Sequence, residues 1–163
     1  MFIDSSKALH WAFMMRSKAI IDPPSINSMG GGNKSTRNEL LIGLSPQETM
    51  QQSADIIKIV DDMATINRQY LYAKYGGEFS GVNELIDSVI GRLGRTSTYR
   101  RGVQNIFLRY CGRKINKEEI RASLRCDNNR VSELSDKVYF ILDGVHASAM
   151  REVEIVFTER GLI

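Results

Sequence analysis

The chain has 163 residues, 42% of them hydrophobic and 25% charged, with a formal net charge of +3. That is the size and composition of one globular domain with an arm or tail, and no apolar run approaches the roughly 18 residues a membrane span requires. Cys111 and Cys126 are too few for a disulfide framework, and with only His10 and His146 beside them no zinc spacing assembles, so neither metal nor cofactor is expected.

The N-terminus, Met1-Phe2-Ile3-Asp4-Ser5-Ser6-Lys7, lacks the basic-then-apolar order of a signal peptide, which points to the cytoplasm. Residues 7–21 read as a short helix with Leu9, Phe13, Arg16 and Ile20 on one side. Trp11, Met14 and Met15 belong to a core on this reading, or to a docking surface. Asp22 to Thr36 is a linker by composition, holding two of the three prolines and the triplet Gly30-Gly31-Gly32. Lys34-Ser35 does not complete a phosphate loop, because Asn33 stands where a glycine must precede the lysine and prolines replace the leading strand. Residues 1–36 thus form a helix and linker arm, and residues 37–163 a helical body.

Ser45-Pro46-Gln47-Glu48 is a helix start, with Ser45 as N-cap, proline in the first turn and Glu48 closing a capping box. The spacing from Met50 through Ala54, Ile57, Val60 or Met63, Ala64, Asn67 and Leu71, with Ile56, Ile59, Ile66 and Tyr70 broadening the apolar face, predicts one helix running to Tyr75 and stopping at Gly76-Gly77. At about 30 residues it would span roughly 45 Å. A second helix reads from Gly81 to Leu93 on Val82, Leu85, Ile86, Val89, Ile90 and Leu93. A third, Ser97 to Cys111, places Val103, Ile106, Phe107 and Tyr110 on one side. Val153 to Phe157 suits a short strand or a last helix. The fold class is all-α.

Between Ser88 and Lys117 stand Arg92, Arg95, Arg100, Arg101, Arg109, Arg113, Lys114 and Lys117, with no Asp or Glu among them. Eight of the 22 basic residues lie there, leaving 14 against 19 acidic ones in the rest of the chain. A basic face on a mildly acidic body is the electrostatic footprint of a nucleic-acid binder, since neutralised phosphates release counterions.

That stretch runs into a helix-turn-helix pattern at about 116–142. Asn116 and Glu119 form a capping box that opens a helix from Lys117 to Leu124. Asp127-Asn128-Asn129 supplies the turn and a second cap, and a further helix runs to about Leu142, ending at Asp143-Gly144. Ile120, Leu124, Cys126, Val131 and Leu134 have the spacing needed to bury the wedge between two crossed helices. Two positions depart from the pattern. Arg121 follows the first core residue where a small side chain is usual, and Arg125 occupies a turn that commonly carries glycine.

On this reading Asn128, Asn129, Arg130, Ser132 and Glu133 are the base-reading positions of a recognition helix in the major groove of double-stranded DNA. Asn pairs in bidentate fashion with adenine and Arg with guanine, and Glu accepts from cytosine. The eight basic residues from Arg92 to Lys117 would hold phosphates and set register. No catalytic constellation is present: there is no carboxylate pair with a nearby His, no Gly-x-Ser-x-Gly and no metal set. The chain is therefore not read as an enzyme.

With a helical body from Ser45 to Cys111, this pattern from Asn116 to Leu142, and an arm carrying Asp22-Pro-Pro-Ser25 and the glycine triplet, the chain resembles the Q-type late-gene transcription antiterminators of lambdoid bacteriophages. The likeness covers most of the length and rests on layout and size. It implies a protein of the bacterial host cytoplasm that binds promoter-region DNA. Such a protein joins RNA polymerase paused with its σ factor and lets the enzyme read through pauses and terminators. It also implies a path for nascent RNA along the basic stretch. Two other readings use the same residues: an ordinary helix-turn-helix repressor or activator, and a helical interaction protein whose basic run meets an acidic partner without binding DNA.

Overall fold

A computed structural model describes residues 2–21 and 45–163, so the Asp22–Thr36 linker with its glycine triplet lies outside the described residues. Among the described residues are seven α-helices and no strand: the chain is all-α. The helices are α1 (Ser5–Ile21), α2 (Pro46–Asp61), α3 (Thr65–Gly76), α4 (Asn83–Arg92), α5 (Arg100–Tyr110), α6 (Lys117–Leu124) and α7 (Asn128–Glu159), with a 3-10 turn at Ser97–Tyr99. They fall into two compact units, one of Met1–Met63 with Met150–Ile163 and one of Ala64–Ala149.

In the first unit α1 packs along α2. Ala8, Leu9 and Ala12 are fully buried, and the small residues let the Ser53 hydroxyl of α2 donate to the Ala12 carbonyl at 3.0 Å. Trp11 is core, 3% exposed, with the Phe2 ring 5.2 Å away. The Phe2 amide donates to the Leu162 carbonyl at 2.8 Å, tying the two ends of the described chain together. The capping box of α2 forms as its sequence dictates. Ser45 Oγ accepts from the Glu48 amide at 3.2 Å, and the Glu48 carboxylate accepts from the Ser45 amide at 2.7 Å. That backbone hydrogen bond, with the serine hydroxyl second, holds the Glu48 carboxyl below its usual range.

In the second unit α3, α4, α5 and α6 pack in succession. α4 has no side-chain cap of its own, and Gln69 from α3 fills part of that role by accepting from the Leu85 amide at 2.9 Å. A polar cluster ties α3, α5 and α7. The fully buried Tyr70 hydroxyl meets His146 Nδ1 at 3.2 Å, and Tyr110 donates to Asp143 at 2.7 Å. Burying tyrosine hydroxyls is tolerable because they keep hydrogen-bond partners there.

Two boundaries depart from the sequence reading. The helix expected from Ser45 to Tyr75 is broken: α2 ends at Asp61, the chain turns through Asp62-Met63-Ala64, and α3 begins at Thr65. No Gly or Pro marks the break, and the buried positions Ile56, Val60, Met63, Asn67 and Tyr70 keep helical spacing across it. The break falls where one unit ends and the other begins, so each half of the apolar stripe is covered by its own unit. Of the broad apolar face expected here, the side of Ile56, Ile59, Val60, Tyr70 and Leu71 is the buried one, while Met50 is 42% exposed and Ala54 is exposed. The helix expected to stop at Asp143-Gly144 instead continues to Glu159, and Val153 to Phe157 is helical. Val131, Leu134, Val138, Leu142, Val145, Ala149, Val153 and Phe157 form one buried stripe at intervals of three and four. Burying that stripe outweighs the roughly 1 kcal/mol that a mid-helix glycine costs.

Candidate nucleic-acid interface

The segment from Asn116 to Glu133 is built by local chemistry. Asn116 Oδ1 accepts from the Glu119 amide at 2.8 Å, and its side-chain nitrogen donates to the Glu119 carboxylate at 3.0 Å. The reciprocal bond thus runs to the Asn116 side chain, where a capping box would use its backbone amide. Asp127 caps α7 in the same way, its Oδ1 accepting from the Arg130 amide at 2.8 Å. Ile120, Val131 and Leu134 are buried, while Leu124 and Cys126 are half-buried.

Of the two departures from the pattern, Arg121 is exposed and pairs with Glu118 of its own helix, and Arg125 has a physical answer. Arg125 itself takes the left-handed conformation, φ 51° and ψ 45°, that a glycine would otherwise supply at the end of α6. A close helix approach occurs between α5 and α6. Gly102 of α5 lies so near Leu124 of α6 that an added Cβ would overlap the leucine Cγ and Cδ2. Asn105 donates to Ser123 at 3.3 Å along the same contact. A glycine in mid-helix costs about 1 kcal/mol relative to alanine, and that cost was the available signal for Gly102.

Asn128, Asn129, Arg130, Ser132 and Glu133 are all exposed on the first turns of α7. Asn129, Arg130 and Glu133 form one wall of a cleft of about 340 Å³, and Arg95 and Tyr99 contribute the other. Leu93 and Leu134 add apolar surface. The Arg95 guanidinium sits 5.3 Å from the Tyr99 ring centroid, within cation–π range. Lys137 also lines the cleft and donates to the Glu133 carboxylate at 2.6 Å. That bond and the lysine charge hold the Glu133 carboxyl below its usual range, with smaller help from Arg130 and Arg95. Ser132 accepts from Lys117 at 2.9 Å and donates to the Asn128 carbonyl at 3.1 Å, so one expected phosphate contact braces one expected base reader.

The eight basic residues do not form one set. Arg95 and Lys117 come to the start of α7. Arg113 stacks on Phe79, 4.9 Å from the ring centroid, and with Lys114 lines a second cavity of about 550 Å³. Arg100 is held by Asp87 and Asn83 of α4. Arg92, Arg101 and Arg109 are exposed. The sequence reading missed Tyr99 and Lys137. The signal for Lys137 was its place seven residues after Arg130 and four after Glu133, which puts all three on one helix face.

Among the described residues no three His, Cys, Asp or Glu side chains gather to hold a metal, and no helix is long and apolar enough to cross a membrane. Comparison with protein-family models, curated proteins and solved structures returned no match.

Proposed function

We propose that this chain is a phage transcription antitermination factor of the kind its layout resembles. In this reading α6, the Arg125-Cys126-Asp127 turn and the start of α7 act as a helix-turn-helix on promoter-region DNA. The protein then joins σ-containing RNA polymerase and carries it through pauses and terminators. The observation that supports this most is one juxtaposition. Exposed Asn128, Asn129 and Arg130 stand at the start of a long helix, and Arg95, Arg130 and Lys137 gather beside them. Asn and Arg at those positions have the donors and acceptors for base edges, and the cations supply the salt-dependent attraction to phosphate. Glu133 and Ser132 have internal partners, so base reading falls chiefly to Asn128, Asn129 and Arg130.

The test is transcription by purified bacterial RNA polymerase on templates carrying a phage late promoter and a downstream terminator. Readthrough that depends on the protein and on sequence upstream of the start site is the expected result. Unchanged termination with tight, salt-sensitive binding to a promoter fragment would replace it with a conventional regulator. Neither activity would leave a helical interaction protein.

A further inference from the structure

Resting on the reading of this unit as a nucleic-acid binder, we infer that the cleft between Tyr99 and the start of α7 takes one unstacked nucleotide of a single strand. Three observations carry the inference.

The first is shape. Side chains that read an intact duplex project into its groove, where base edges stay within the stack. Asn129 and Arg130, exposed on the first turn of α7, also form a wall of a concave cleft of about 340 Å³. That lies at the small end of the roughly 300–1,000 Å³ typical of ligand sites, and a base enters such a recess only after leaving its stack.

The second is the lining. Tyr99 offers an aromatic ring with the Arg95 guanidinium 5.3 Å from its centroid, the pairing of aromatic and arginine on which proteins stack single-stranded bases. The Asn129 amide can both donate to and accept from a base edge, whichever base is present. Arg95, Arg130 and Lys137 outnumber Asp127 and Glu133 around the cleft, so the flanking phosphate meets a net positive rim. The third is recurrence. A second cavity of this unit repeats the pairing, with Arg113 stacked 4.9 Å from the Phe79 ring and Lys114 beside it. Aromatic platforms paired with arginine and set in basic surroundings suit a strand whose bases are splayed apart.

The experiment is fluorescence anisotropy with the full chain and end-labelled 12-nucleotide single strands, DNA and RNA in separate arms, beside the matching DNA duplex at equal salt. Single-strand binding that falls about tenfold or more in Tyr99→Leu and is retained in Tyr99→Trp supports the inference, and the tighter arm identifies the natural strand. Should Tyr99→Leu fail to fold, Arg95→Gln, on an exposed loop, reads the same platform through a several-fold loss. Single-strand binding indifferent to Tyr99 and Arg95 overturns the inference. Duplex binding with no single-strand binding also overturns it while leaving the proposed function intact, and binding to neither removes both.

Discussion

Two glycines of the same unit, replaced by the same residue, should shift stability in opposite directions. Alanine at either Gly102 or Gly144 gains about 1 kcal/mol of helix propensity. At Gly144 no atom lies within 4 Å of the new Cβ, so the full gain should appear. At Gly102 the new Cβ overlaps Leu124, and either that side chain leaves its rotamer or α5 and α6 move apart. Overpacking of this kind typically costs 1–3 kcal/mol. Gly102 is buried and the overlap involves Cγ as well as Cδ2, so the upper part of that range applies. Gly102→Ala should therefore lose about 1–2 kcal/mol net, leaving the two variants about 2–3 kcal/mol apart. Urea denaturation followed by far-UV circular dichroism, with equal slopes required across variants, measures the difference. Adding Leu124→Ala to Gly102→Ala should cost less than Leu124→Ala costs in the wild type, because the overlap is gone. A Gly102→Ala variant as stable as the wild type would refute the α5–α6 approach described here. A destabilised Gly144→Ala would refute the unbroken course of α7.

Arg125→Gly should stabilise the fold by about 1 kcal/mol in the same denaturation assay, since arginine at φ 51° bears the left-handed penalty that glycine avoids. Asn129→Ala or Arg130→Ala should cost roughly 1–3 kcal/mol at the cognate DNA site only, whereas Lys114→Ala should weaken all sequences alike and flatten the salt slope by about one unit, both read from binding titrations across salt. Arg100→Ala should leave that slope nearly as it was and cost less than about 1 kcal/mol of stability, because its partners are Asp87 and Asn83 on a half-exposed surface. Alkali should destabilise the protein. Burial pushes the Cys111 thiol from 9.0 up to about 11 and Tyr110 from 10.0 up to about 12, and burial together with its bond to Tyr110 raises Tyr70 as well. The folded chain then holds more protons than the unfolded one, so this stability is full below pH 9.0 and drains away toward pH 11 and beyond. Urea midpoints should fall as the pH rises from 9.0 to about 11, and fall less in Cys111→Ala; a flat profile would contradict the burial assignment.

Helix existence and helix starts were legible because they rest on neighbours in sequence. Ser45 with Glu48, Asn116 with Glu119 and Asp127 before α7 cap through residues three apart, and the apolar stripe of α4 declares itself in ten residues. The exposure of Asn128 to Glu133 follows from the same periodicity, since Val131 and Leu134 take the buried side. Helix ends and breaks were not local in this way. Asp143-Gly144 has the chemistry of a stop, yet α7 passes through it because Val145, Ala149, Val153 and Phe157 find burial further on. Nothing in Asp62-Met63-Ala64 announces the turn between α2 and α3, which follows from two units covering the two halves of one stripe. The candidate site shows the same division. The sequence by itself determined that this region is basic, helical and free of acids from Ser88 to Lys117. Only the tertiary structure decided where those charges point. It turns Arg100 onto α4, lays Arg113 on Phe79, braces Ser132 with Lys117 and brings Arg95 and Tyr99 across from Arg130. Charge is a property of composition, but its direction is a property of packing, because a long flexible side chain settles on whichever partner the fold brings within reach.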